Sequence, residues 1–524
     1  MEQSSLTTLQ DPIRSIWHWV PKILKACFLS AFCAGILCHL FMITNKMINW
    51  DDLMTQPDVG GGPYFGRWLQ LPLHEVFSKW GAPALNGVAA VLFASLAACF
   101  VVALLEVQSL SLAVLVGILM TTFPPLTSAM FYMDLVPMFM MAMLFACLAA
   151  YVTRRFRFGF LFGAGFLVLS MALYQAYFPV AVVLLVLGSL EDVLQEKEIA
   201  QVLRTGFREI LCLALGMVLY LFSIVLSGYS LADYKGMGNI GQNSPGSYLV
   251  AALRAIHRYF QYFSTSPDSY MKGGATAVSV LVLVLTAVLA ILVLVQKRLY
   301  RKPVYLVLYL LLLVLVPLSA GLVYVMSIQT QKATTVMVYG YIGFYLLPVV
   351  LLTNLAVPGK RSRQKAVSVL SFVLVVVLSA ASFFQVRLAG QAYYRMYLAD
   401  RRMQSFATRI LASLEQQDGY TYGDPILVAG DVSITEGTNP IDARDLESIE
   451  FADMEGMATE DGYLLPDNRS RYIELFLGVS AESYPEGFDR ETFEESSDYQ
   501  DMAIFPAEGS IKQIDGIWVV RIGQ

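Results

Sequence analysis

Asn49-Trp50-Asp51-Asp52 sets two carboxylates side by side directly after a long apolar run. A carboxylate held there can act as a general base, taking a proton from a hydroxyl about 3 Å away. The bland alternative is an interfacial or capping pair. Gly66-Arg67-Trp68 follows in the same polar stretch, and the planar guanidinium fork of Arg67 suits a phosphate, or else serves as an interfacial anchor. Farther on, Phe131-Tyr132-Met133-Asp134 carries a third carboxylate in a very short turn between apolar runs, where a solvated turn residue is the competing reading. Tyr174-Gln175-Ala176-Tyr177 forms another such turn, with phenol and amide groups that hydrogen-bond sugars or merely cap a helix pair. Arg254, His257 and Arg258 stand at i, i+3 and i+4 on one helix face, with Tyr259 and Tyr262 nearby. That stripe could hold a lipid phosphate or greet anionic headgroups.

The elements that must position these groups are membrane spans. The 524 residues are 56% hydrophobic and only 15% charged, and a bilayer core about 30 Å thick takes roughly 20 apolar residues per helix. Eleven such runs are expected, at 23–44, 84–107, 110–130, 135–153, 159–175, 178–190, 210–228, 275–295, 304–326, 336–357 and 366–386. Basic clusters at Arg154/Arg155/Arg157, Lys197/Arg204/Arg208, Lys297/Arg298/Arg301/Lys302 and Lys360/Arg361/Arg363/Lys365 recur on alternate loops. By the positive-inside rule they place residues 1–22 in the cytoplasm and all the candidate groups outside. Two long outer loops, 45–83 and 229–274, should hold short interfacial helices near 64–76 and 248–263.

Residues 387–524 are different in kind. They hold 26 Asp+Glu against 11 Lys+Arg, a net −15 that leaves +10 on the remainder of the chain. A helix over 388–416, strands at 425–429, 502–505 and 516–522, and a helix at 469–477 predict a small α/β domain outside the cell. The fold class is therefore an all-α polytopic membrane domain over 23–386 followed by this acidic domain. All six cysteines lie in apolar runs and the four histidines are dispersed, so neither a disulfide framework nor a Cys/His zinc site is indicated. Nucleic acid is not an expected partner, because no basic soluble domain exists to hold it. Gly236-x-Gly238-x-x-Gly241 matches a dinucleotide pattern only as letters, since no strand precedes it and no apolar helix follows.

Taken in order, Asp51-Asp52, Gly66-Arg67-Trp68, Tyr132 with Asp134, and Tyr174-Gln175-Ala176 resemble the motifs of the bacterial type II glucosyltransferase family. These are membrane enzymes that decorate O-antigen and related surface polysaccharides. The resemblance implies a GT-C-type enzyme of the bacterial cytoplasmic membrane. Its donor would be a polyprenyl-phosphate-linked sugar, and its acceptor a surface polysaccharide or glycolipid at the outer face. It further implies single displacement with inversion. Asp51 or Asp52 would be the base, and Asp134 would orient the acceptor or assist the base. Arg67, Arg254 and Arg258 would face the leaving phosphate, and Tyr132, Tyr174, Gln175 and His257 the sugar or acceptor. No cofactor is required; a divalent metal is compatible with the carboxylates but not demanded. A polysaccharide polymerase, expected to lean on arginines, and a lipid-linked glycan flippase or transporter, expected to bury charge at mid-membrane, are the alternatives.

Overall fold

The computed structural model describes residues 17–45, 47, 63–77, 82–229, 243–264, 273–331, 333–355, 361–430, 472–479 and 489–523. Asp51 and Asp52 lie outside the described residues. The chain divides into two compact units, Met1–Thr44 with Gly61–Ala389, and Asn45–Gly60 with Gly390–Gln524.

Among the described residues the regular elements of the first unit are all helical: α1 Lys22–Thr44, α2 Gln70–Phe77, α3 Pro83–Leu104, α4 Leu110–Thr122, α5 Pro124–Met130, α6 Val136–Arg155, α7 Gly159–Leu173, α8 Phe178–Leu194, α9 Ile199–Ser227, α10 Pro245–Tyr262, α11 Gly274–Gln296, α12 Pro303–Ala320, α13 Val323–Met326, α14 Gly343–Thr353 and the start of α15 Arg361–Leu414. Among the described residues nine helical segments are long and apolar enough to cross a membrane, and two shorter apolar stretches, Gly159–Leu173 and Tyr339–Thr353, accompany them. The chain is a multi-pass membrane protein. α9, α11 and α12 keep Phe222, Val225, Ile291 and Val307 exposed, as lipid-facing helices do. The inner helices pack in a chain: α1 on α3 and α4, α3 on α6, α6 on α7, α7 on α9, and α8 on α12.

Several expected spans are interrupted. The run 110–130 breaks at Phe123, whose extended backbone precedes Pro124; a proline biases the residue before it away from helix and starts α5 at its own first turn. In the run 304–326 the helix ends at Ala320, and Gly321 follows at a point so close to α10 that an added Cβ would stand 2.8 Å from the Ala255 carbonyl oxygen. Residues 336–342 form two 3₁₀ turns, Thr335–Met337 and Tyr339–Ile342, before α14 begins. In the other direction, α9 starts at Ile199, so Arg204 and Arg208 sit within a helix rather than in a loop. The last span and the helix expected at 388–416 are one element, α15, 54 residues long.

The second unit carries a three-stranded sheet in the order β1 Ile426–Ala429, β3 Ile517–Arg521, β2 Ile511–Ile514. β1 runs parallel to β3 and β2 antiparallel to it. The β2–β3 hairpin closes on Asp515-Gly516, both at positive φ, the geometry that two-residue hairpin turns require. Residues 502–505 are not a strand, in contrast to the expectation; β1 and β2 are the two edges of the sheet. Phe406, Ile410 and Leu414 of α15 cover one sheet face together with Val428, Trp518 and Val520, while Tyr499 and Met502 pack on the other. Near 469–477 the described part is a single π-helical turn, Ile473–Leu477.

Candidate active site

Gly66, Arg67 and Trp68 lie in a short loop between a 3₁₀ turn, Pro63–Phe65, and α2. The loop is tied down from both sides. Gln175 Nε2 donates to the Phe65 carbonyl at 2.5 Å and to the Tyr220 hydroxyl at 2.7 Å, and Tyr220 in turn donates to the Gly66 carbonyl at 3.2 Å. The Trp68 indole donates to Ser223 Oγ at 3.0 Å, and Gln70 Nε2 to the Leu173 carbonyl at 2.7 Å. Gly66 sits at φ +78°, and a Cβ there would come within 2.5 Å of the Tyr220 hydroxyl. Glycine before Arg67 is thus demanded twice, by backbone conformation and by space.

Arg67 itself is aimed. Its Nε donates to Gln175 Oε1 at 3.2 Å, and its guanidinium carbon lies 4.6 Å from the centre of the Tyr174 ring. Neither terminal nitrogen has a hydrogen-bond partner among the described residues, so the outer edge of the fork is available to an anion. Tyr174 stacks on Phe139 at 4.5 Å, and Phe139 contacts Tyr132 edge-on at 6.1 Å. The four sequence motifs therefore meet in part: Arg67, Tyr132, Tyr174 and Gln175 form one contiguous group. Gln175 has its amide engaged with the Arg67 loop, which makes it a positioning residue in this arrangement.

Asp134 is fully buried, in the tight turn that leads into α6. The solvated-turn alternative is therefore set aside. The turn is fixed by Asn86 of α3, whose Nδ2 donates to the Met133 carbonyl at 3.1 Å, and by hydrogen bonds from Leu135 and Val136 back to the Tyr132 carbonyl.

The basic stripe forms a second group. α10 buries Ala251, Ala255, Tyr259 and Tyr262 and leaves Leu249, Val250 and Leu253 exposed. Arg254 donates to the carbonyls of Ile328 and Thr330 at 2.9 and 3.1 Å, bracing the loop after α13, and Arg258 donates to Gln261 at 2.7 Å. His257 is exposed. An aromatic ladder joins this helix to the Arg67 group. Tyr174 contacts Tyr177 at 5.7 Å, Tyr177 contacts Tyr339 at 5.8 Å, Tyr339 contacts Phe123 at 5.7 Å, and Phe123 contacts Tyr262 at 6.3 Å. The Tyr177 hydroxyl is buried on this ladder with no hydrogen-bond partner among the described residues, a position from which a phenol can serve a ligand hydroxyl. Sequence reasoning missed Tyr220, Tyr339 and Phe123. The Tyr339-Gly340-Tyr341 spacing, reading like any apolar span, gave no sign that its helix is interrupted at the ladder.

The family model described as Glucosyl transferase GtrII matches residues 40–345. The chain belongs to this family. The matched region contains every candidate group named above, including Asp51 and Asp52, and ends within the 3₁₀–α14 segment that carries Tyr339. No curated protein and no solved structure matches the chain. As a member of the GtrII family the protein is a glycosyltransferase-type membrane enzyme. Among the described residues no group of His, Cys, Asp and Glu is arranged to hold a metal ion.

Proposed function

We propose that the protein moves a sugar, glucose by its family, from a polyprenyl-phosphate carrier to a cell-surface glycan at the outer face of the membrane, with inversion. The observation that carries this reading is Arg67, anchored by Gln175 and Tyr174 with its outer edge unpaired among the described residues, at the same helix ends as the buried Asp134. A carrier lipid stays in the bilayer with its phosphate at the surface, where a guanidinium on a loop between membrane-spanning helices would meet it. Asp51 or Asp52 takes the proton of the acceptor hydroxyl as its oxygen bonds to the sugar's anomeric carbon. The bond from that carbon to the phosphate oxygen breaks, and Arg67 receives the growing charge, the kind of stabilisation worth about 10²–10³ in rate when one donor is removed. Asp134 orients the acceptor, with Tyr132, Tyr174 and Tyr177 as the sugar-facing rings. Arg254, Arg258 and His257 draw the lipid phosphate toward the ladder. The basic loops support residues 1–22 inside and the acidic domain, 387–524, outside.

The test is transfer of labelled glucose from polyprenyl-phosphate glucose to surface polysaccharide by the purified protein in detergent. Transfer that disappears in Arg67→Ala, at unchanged protein yield, is expected. Transfer from a sugar nucleotide in the absence of lipid carrier would overturn the donor assignment.

A further inference from the structure

α3, α6 and α8 each begin beside the candidate active site, at Asn86, Asp134 and Gln175, and each ends in a second place. α6 alone, 20 residues long, separates the two by about 30 Å. At those C-terminal ends lies an open cavity of about 680 Å³, within the size range of ligand pockets. Its lining has an aliphatic part, with Ile23, Leu24 and Val102, and a charged part in which Glu106, Arg155 and Glu191 accompany Arg154, Asp192 and Lys197.

Charge in this cavity is incompletely matched. Arg154 pairs with Asp192 at 2.8 Å and with Glu209, and Lys197 pairs with Asp192 at 2.6 Å. Glu191 is buried, 4% exposed, within electrostatic reach of Arg154 and Lys197 but ion-paired with neither among the described residues, and it accepts a hydrogen bond from the neutral Gln195 at 3.3 Å. Glu106 has no ion-pair partner among the described residues and is held at φ +42°, a conformation that glycine would adopt without strain. Both carboxylates stand at helix C-termini, where the helix dipole opposes a negative charge and favours a cation. Arg155, exposed on the rim, has no ion-pair partner among the described residues either. A ligand that answers all three groups carries a primary ammonium for the two carboxylates beside a phosphate for the arginine. The aliphatic wall, at the ends of membrane-spanning helices, asks that this ligand also have an apolar part.

We propose that this cavity is a binding site for the headgroup of an amine-bearing phospholipid of the phosphatidylethanolamine class. Its ammonium donates to Glu106 and Glu191, its phosphate accepts from Arg155, and its glycerol end lies along Ile23 and Leu24. The site is separate from the transfer chemistry and its occupancy does not depend on the donor assignment.

The experiment is native mass spectrometry of the full-length protein, delipidated in detergent and then incubated with equal amounts of phosphatidylethanolamine, phosphatidylcholine and phosphatidylglycerol. Phosphatidylethanolamine should be retained roughly tenfold over phosphatidylcholine, whose quaternary nitrogen has no N–H to donate, a discrimination typical of one charge-assisted hydrogen bond. Glu106→Lys, at an exposed position that leaves the fold intact, should erase that preference; Glu191→Gln should weaken it, and Arg155→Ala should lower retention of both lipids alike. Equal retention of the three lipids, or an unchanged preference in Glu106→Lys, overturns the proposal. Displacement of the bound lipid by soluble phosphoethanolamine as effectively as by the intact lipid would overturn the role of the aliphatic wall.

Discussion

The two ends of one helix bundle are built on opposite principles. Where α3, α6 and α8 begin, the chain sets one arginine against neutral partners, the Gln175 amide and the Tyr174 face, and among the described residues nothing pairs with the outer edge of its fork. Where the same helices end, Arg154 is closed in by Asp192 and Glu209, and by the Gly188 carbonyl at 2.9 Å. Gly188 leaves room for that guanidinium: a Cβ would stand 2.5 Å from Arg154 Nε. An arginine held by neutral groups keeps its charge available to a ligand, whereas one neutralised by two carboxylates is a clasp between α6, α8 and α9. The same side chain thus does different work according to the charge of what surrounds it.

This contrast is broken most sharply by substitutions that separate rate from stability. Asp51→Asn or Asp52→Asn should lower transfer by about 10²–10⁴-fold, the range for a positioned base, with the amount of folded protein nearly unchanged. Full activity in both single variants and in the double variant would remove the base from these positions. At the opposite end, Arg154→Met leaves Asp192 and Glu209 buried without their common cation. We expect a loss of about 3–5 kcal/mol, read as a lower thermal midpoint in detergent, while transfer per folded molecule stays close to the parent value. A drop in specific activity with no change in melting would erase the distinction between the two ends. Arg67→Lys keeps the charge but loses both the fork and the Nε anchor. Turnover at saturating donor should fall about 10–10²-fold, with apparent donor affinity changing less. Arg258→Ala should act on apparent donor affinity by only a few fold, less than Arg67→Lys acts on turnover, with a dependence on salt if it attracts the headgroup through solvent.

The smallest effect belongs to the second unit, which serves as a control outside both ends. Asp424 accepts from the Thr421 backbone N–H at 2.9 Å, then from the Thr421 hydroxyl and the Trp518 indole, and these hold its carboxyl below the usual range. With a folded pKa lower than the unfolded one, its contribution is complete above the unfolded carboxylate value of about 4 and is lost as pH falls through the folded value. Chemical denaturation followed between pH 5 and 3 should therefore show a shallower loss in Asp424→Asn than in the parent.

Much of the fold was legible because its signals are local and periodic. Helix starts at Lys22, Pro83 and Leu110 fall within one residue of the apolar runs read from sequence, and the Ile426–Ala429 strand within one residue of its expected start. The interruptions were harder to read. Gly321, where α12 gives way, meets Ala255, a contact between segments far apart in sequence that no local pattern shows. The edge strand at 511–514 had a readable mark in Asp515-Gly516, the strongest short hairpin signal, and the expected strand at 502–505 was placed without using it. For the site, the chemistry-bearing letters were visible but their division of labour was not. Nothing in the sequence separates Gln175 as an anchor of Arg67 from Gln175 as a sugar ligand; that distinction comes from Tyr220 and the Phe65 carbonyl.

The anchoring of Arg67 also has a thermodynamic consequence for whatever anion it meets. A free arginine gives up about 2 kcal/mol of rotamer entropy when it is immobilised. Here the Gln175 contact and the Tyr174 ring impose much of that restriction as the chain folds, long before a ligand arrives. Association at this fork should therefore carry a smaller entropic penalty than at an unrestrained arginine. In a calorimeter, loosening the anchor through Gln175→Ala should appear as a less favourable entropy of anion binding at nearly constant enthalpy.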